Sequence, residues 1–78
     1  MKSIYEPRYA KLIEQLIKAR IDLDKTQTEL AGLLGKHQSY VAKVENFDRR
    51  IDVVELADWL HALAINPSQF MSELNWWR

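Results

Sequence analysis

The stretch Thr26 to Asn46, TQTELAGLLGKHQSYVAKVEN, decides how this chain folds. Thr26 is a good N-cap, and Glu29 stands three residues later. That is the spacing of a capping box, in which each side chain satisfies the other residue's backbone N–H. Leu30, Ala31, Leu33 and Leu34 recur at helical spacing and predict a helix over 27–34. Gly35 follows, where a left-handed residue stops a helix without a Cβ penalty. A second helix is predicted over 38–45, with Val41 and Val44 turned inward. His37 takes its N-cap position, where Ser or Thr is more usual. Gln38, Ser39, Tyr40 and Lys43 lie on its outer side, and all can donate hydrogen bonds.

Working outward, Met1 to Glu6 reads as a short leader. Pro7 suits the first position of a helix, since its missing N–H would be unsatisfied there anyway. A helix is predicted from about Pro7 to Ile21, with Tyr9, Leu12, Ile13, Leu16, Ile17 and Arg20 on one stripe. Lys11, Glu14 and Lys18 face water, and Leu23 is expected beneath the following turn. On the other side, residues 46–50 form a loop, with Phe47 folded back as a plug. Asp52 and Glu55 repeat the capping-box spacing and begin a helix to about Leu63. Its expected core face is Val53, Leu56, Ala57, Leu60 and Leu63. Asn66-Pro67 starts a last helix to about Leu74, with Phe70, Met71 and Leu74 on one side. No stretch alternates with period two for long enough to make a strand. The reading is an all-α chain of five helices in a single domain over 1–78, ending in a Trp-rich tail at 75–78.

Helix, glycine turn, then a helix with a polar outer face is the helix-turn-helix layout, whose second helix enters a DNA major groove. The stretch resembles the Xre/Cro family of phage-repressor-like DNA-binding domains. Gln27, Glu29, Leu30, Ala31, Gly35, Val41, Val44, Glu45 and Asn46 fall where the family motif Q-x-E-L-A-x-x-x-G…(V/I)-x-x-(L/V)-E-N places them. The likeness runs back to Arg20 and on through Val53, Leu60, Ile65 and Phe70. It implies a five-helix, lambda-repressor-like domain with its motif at about 26–46, acting as a transcriptional regulator, a repressor first. Two positions depart from the family. Asp24 stands where a glycine usually closes helix one, and Lys25 where an apolar residue is usual. Asp tolerates the left-handed region better than most residues. Lys25 can lay its methylenes on the core and keep its ammonium wet.

Gln38 opens the second helix of the motif, and its amide can pair with adenine N6 and N7 together. It is the first choice for base contact; the alternative is a solvated polar residue. Ser39 can reach a base or a phosphate. Tyr40 either contacts a thymine methyl or a phosphate, or packs as partial core. Lys43, one turn on, reaches a guanine or a phosphate, or stays solvated. Lys36, Arg49 and Arg50 flank the helix and suit phosphates, which position without reading sequence. The family resemblance adds two further implications. Gln27 would contact a backbone phosphate and hydrogen-bond Gln38. Arg20 and Glu45 would form an internal, partly buried bidentate ion pair between helices one and three.

Bulk properties set the limits. Eleven basic and eleven acidic residues cancel, unusual for a DNA binder. Their distribution is uneven. Lys36, Lys43, Arg49 and Arg50 face Glu45 and Asp48 between positions 36 and 50, whereas Asp52, Glu55, Asp58 and Glu73 face Arg78 beyond it. Positive charge therefore gathers on and after the motif's second helix. There is no cysteine, so no disulfide or thiolate metal site is possible, which fits a reducing cytoplasm. No apolar run approaches the roughly 20 residues that span a bilayer. His37 and His61 stand 24 positions apart without cysteine partners, and no metal or cofactor is expected. No Ser–His–Asp set, Gly-rich phosphate loop or His-Glu cluster points to an enzyme.

The tail brings Trp76 and Trp77 together, and with Trp59, Met71 and Leu74 it suggests a self-association surface; the alternative is that the aromatics complete a small core. The expected partner is duplex DNA with a palindromic operator, bound by a homodimer. Two rivals use the same fold. One is an antitoxin-like protein binding operator DNA and a toxin through its Trp-bearing end. The other is a helical interaction module without DNA binding, consistent with the zero net charge and the acids of helix four.

Overall fold

In the computed structural model, which describes residues 6–77, five helices follow one another: α1 (Pro7–Asp22), α2 (Gln27–Leu34), α3 (Gln38–Glu45), α4 (Val53–Ala62) and α5 (Pro67–Glu73). No strand occurs among the described residues. Met1 to Tyr5 of the predicted leader, and Arg78 of the tail, lie outside them.

Four of the five helices begin on a side chain that takes up orphan N–H groups. The Thr26 hydroxyl accepts from Glu29 N at 3.0 Å, and the Glu29 carboxylate accepts from Thr26 N at 2.9 Å. Asp52 and Glu55 repeat the exchange at 2.8 and 2.9 Å. Asn66 accepts from Gln69 N at 3.0 Å. Glu6 is the first cap, not leader: its carboxylate accepts from Arg8 N and Tyr9 N at 2.9 and 3.2 Å. Only α3 starts without one, because His37 makes no side-chain cap bond.

Every helix ends the same way. Asp24, Gly35, Phe47, Ala64 and Asn75 follow α1 to α5 with φ of 56°, 68°, 66°, 55° and 59°. This left-handed residue reverses the chain and lets later N–H groups bond the last carbonyls. Only one of the five is glycine.

The core draws Tyr9, Leu12, Ile13 and Leu16 from α1, Leu30 and Ala31 from α2, and Val41 and Val44 from α3. Ile51, Leu56, Trp59, Leu60, Leu63, Phe70 and Leu74 complete it. α3 packs on α2 and α1, and α2 also meets α4. Two hydrogen bonds lock the ends together: Gln15 Nε2 donates to Phe70 O at 2.8 Å, and Ile51 N donates to the Tyr9 hydroxyl at 3.2 Å. Phe47 turns back edge-on to Tyr9, with ring centroids 6.3 Å apart.

The structure corrects several sequence expectations about burial. Val53 is 77 % exposed and Ala57 is exposed, while Trp59 is wholly buried. Apolar residues cover more than half the circumference of α4, so periodicity alone does not choose its inner face. Packing against α2 selects the side carrying Leu56, Trp59, Leu60 and Leu63. Trp59 and Leu74 are thereby core residues and no part of a self-association surface. Leu23 is exposed as well, because the chain reverses at Asp24 and carries it outward. Leu33 is exposed at the edge of the α2 stripe.

Candidate nucleic-acid interface

The first turn of α3 stands clear of the body. Gln38, Ser39 and Lys43 are exposed, and Val41 and Val44 behind them are fully buried. The apolar side pins the helix, so the polar side is presented at a fixed angle.

A chain of hydrogen bonds runs from the interior to Gln38. Arg20 donates Nε to Glu45 Oε2 at 2.8 Å and Nη2 to Glu45 Oε1 at 3.0 Å. Its Nη1 donates to Lys25 O at 2.7 Å. The side chains of this bidentate pair are 12 % and 5 % exposed. Gln27 Nε2 donates to Glu45 Oε1 at 2.9 Å, and Gln38 Nε2 donates to Gln27 Oε1 at 2.8 Å.

The polarity of this chain is chemically forced. An ionised carboxylate only accepts, so Gln27 must offer Glu45 its NH2. Its carbonyl oxygen then faces Gln38, which must offer NH2 in turn. Gln38 keeps one N–H and its carbonyl oxygen outside the chain. Those are the donor and the acceptor that adenine N7 and N6 require. The Arg20–Glu45 pair thus fixes the rotamer of a side chain on the surface. It also neutralises the Glu45 charge at the end of the helix that would meet DNA.

Tyr40 is different. It is half-buried, and its hydroxyl is turned into the protein, where it accepts from Trp59 Nε1 at 3.2 Å and donates to Glu55 Oε2 at 3.4 Å. Burial pushes this phenol above its ordinary value. Its hydroxyl is therefore spent inside the protein, which leaves only the ring to face outward. The ring instead faces cations: Lys36 Nζ lies 5.4 Å and Arg49 Cζ 4.8 Å from its centroid.

Of the other predicted phosphate contacts, Arg49 is exposed but engaged, with Nη2 2.9 Å from Glu55 Oε2 and Nη1 donating to Arg50 O at 2.8 Å. Arg50 lies over the Tyr9 ring at 4.2 Å. Gln27 is half-buried within the hydrogen-bond chain, and Lys36 is exposed. The Arg49 guanidinium holds the Glu55 carboxyl below the ordinary glutamate range, helped by the Asp52 N–H. From the sequence, Glu55 reads as a capping residue and Trp59 as part of a self-association surface or of a small core. Their link to Tyr40 spans 15 and 19 positions, and no local pattern signals it.

The tail lies past α5. Trp76 and Trp77 contact each other with centroids 5.8 Å apart and planes inclined by 58°. Trp76 is half-buried, its Nε1 without a partner among the described residues, and Trp77 is 68 % exposed. Met71 is half-buried and lines an apolar groove of about 390 Å³ with Val53, Ala57, Leu60 and Ile65.

Residues 16–70 match a family model described as Helix-turn-helix. Among solved structures, the chain is similar to an XRE-family like protein from Pseudomonas syringae pv. tomato str. DC3000, with 41% identity and a TM-score of 0.85. That likeness covers 94% of this chain and 89% of the other. No match to a curated protein was found.

Proposed function

The chain belongs to the Xre-like helix-turn-helix family of DNA-binding regulators, and on that footing we propose that it is a transcriptional repressor that reads a palindromic operator as a homodimer. The family is one of regulators rather than enzymes. The reading rests on one observation: Gln38, Ser39 and Lys43 share the exposed face of α3, and a hydrogen-bond chain from the Arg20–Glu45 pair orients Gln38. Gln38, Ser39 and Lys43 contact bases; Lys36, Arg49 and Arg50 contact phosphates. Gln27 braces Gln38 and meets a phosphate with its remaining N–H. Two copies place their α3 helices in successive major grooves about 34 Å apart.

A salt titration of binding to random duplex tests the affinity. Phosphate contacts make binding fall linearly with the logarithm of salt, with a slope of about −0.9 per phosphate. Absence of binding at low salt would instead support a helical interaction module.

A second reading, in which the protein binds operator DNA and a partner chain such as a toxin, is favoured by the apolar groove beside exposed Val53 and Val54. Co-purification of a second chain at fixed stoichiometry supports it. A single species from the native source excludes it.

A further inference from the structure

A concavity of about 310 Å³ opens between the start of α3 and the α3–α4 loop. Lys36, Lys43 and Arg49 line it together with Ser39 and Tyr40, and no carboxylate does. Three cations meeting at one depression repel each other unless something offsets them. Here the offset comes from below. The electron-rich Tyr40 ring has Lys36 Nζ and Arg49 Cζ over it at 5.4 and 4.8 Å, and Glu55 grips Arg49 at 2.9 Å. Such cation–π contacts are attractive within about 6 Å.

The ring itself is fixed. Its hydroxyl accepts from the indole of fully buried Trp59 and donates to Glu55, and its centroid lies 6.2 Å from that of Trp59. The core thus holds an aromatic platform, and Lys36 and Arg49 both lie over it and line the same concavity. Arg49 has N–H donors beyond those given to Glu55 and Arg50, so it can keep both contacts and still bind an anion.

We propose that Tyr40 is a positioning residue that sets Lys36 and Arg49 as a joint seat for a single backbone phosphate of duplex DNA. This rests on the DNA-binding reading above. It assigns Tyr40 a role in affinity rather than in base recognition, and it makes the two cations partners on one phosphate rather than contacts to two.

Salt dependence separates these cases, because its slope counts phosphates neutralised and not the stability of the fold. With the full chain on one duplex, Lys36→Gln and Arg49→Gln should each change the slope by well under half of the value for one phosphate. The double variant should lower it by about 0.9. Tyr40→Leu should lower it by about 0.9 with both cations still present, and Tyr40→Phe, which retains the ring, should restore the wild-type slope. Losses of about 0.9 for each cation and about 1.8 for the pair would overturn the shared seat, as would a wild-type slope in Tyr40→Leu. Should Tyr40→Leu fail to fold, the two exposed cations decide alone. Wild-type protein that binds no duplex at low salt overturns the DNA-binding reading and the seat together; additive losses overturn the seat only.

Discussion

Gln38 and Gln27 share a 2.8 Å amide–amide hydrogen bond that joins the two helices of the motif across the Gly35 turn. The bond is the outer end of a chain whose inner end is an ion pair between α1 and α3. On the proposed reading, stability and recognition are therefore coupled through Glu45.

Arg20→Ala removes the charge partner of a carboxylate whose side chain is 5 % exposed. Breaking a buried pair in this way costs about 3 kcal/mol, because the remaining charge is left uncompensated. That is a large share of what a small domain has. Urea unfolding followed by circular dichroism measures it. A loss under about 1 kcal/mol would show that water reaches Glu45 and that the pair contributes little.

Glycine is present once where it costs stability and absent once where it would help. Gly32 lies inside α2 with nothing within 4 Å of where a Cβ would stand, whereas exposed Ala64 holds φ of 55°. Gly32→Ala should stabilise by about 0.5–1 kcal/mol through helix propensity. Ala64→Gly should gain a similar amount: relief of left-handed strain, about 1–2 kcal/mol, exceeds the added freedom of the unfolded chain. Thermal denaturation of the two variants checks this. A lowered midpoint for Ala64→Gly would contradict the account of the α4 terminus.

Glu55 gives a pH dependence with a defined sign. Arg49 and the Asp52 N–H lower its folded pKa below that of the unfolded chain. The stability it contributes is complete above the ordinary glutamate value of about 4.3 and is lost as pH falls through the folded value. Wild-type stability should drop more steeply than that of Glu55→Gln between about pH 5 and pH 3. Parallel declines would show that the Arg49–Glu55 contact is not maintained in solution.

Trp77 is 68 % exposed next to a half-buried Trp76, and it is our choice for the homodimer surface. Trp77→Ala should shift the monomer–dimer equilibrium toward monomer. Sedimentation equilibrium across a wide concentration range reads the shift. An unchanged association constant would remove the tail from the interface.

The helix starts were legible because they rest on local chemistry: Thr26 with Glu29, Asp52 with Glu55, and Asn66 before Pro67 each act within one turn. The stops were less so. Phe47 and Ala64 take left-handed backbone that no residue preference announces. The inner face of α4 is ambiguous too: Val53 and Ala57 read as core, and packing turns Trp59 inward instead. The exposure of Gln38, Ser39 and Lys43 on α3 could be read from their spacing around Val41 and Val44. The inward turn of the Tyr40 hydroxyl could not, because it depends on a buried indole 19 positions away.

The central claim is that α3 presents Gln38, braced by Gln27, to the bases of a duplex. Selection of bound duplexes from a random pool, run in parallel with wild type and Gln38→Ala, tests it most directly. The account predicts a two-fold symmetric motif for wild type. In Gln38→Ala the same motif should return with one position per half-site relaxed, at a loss of about 1–3 kcal/mol on the selected site. An unchanged motif at unchanged affinity, or no enriched sequence for either protein, would contradict it.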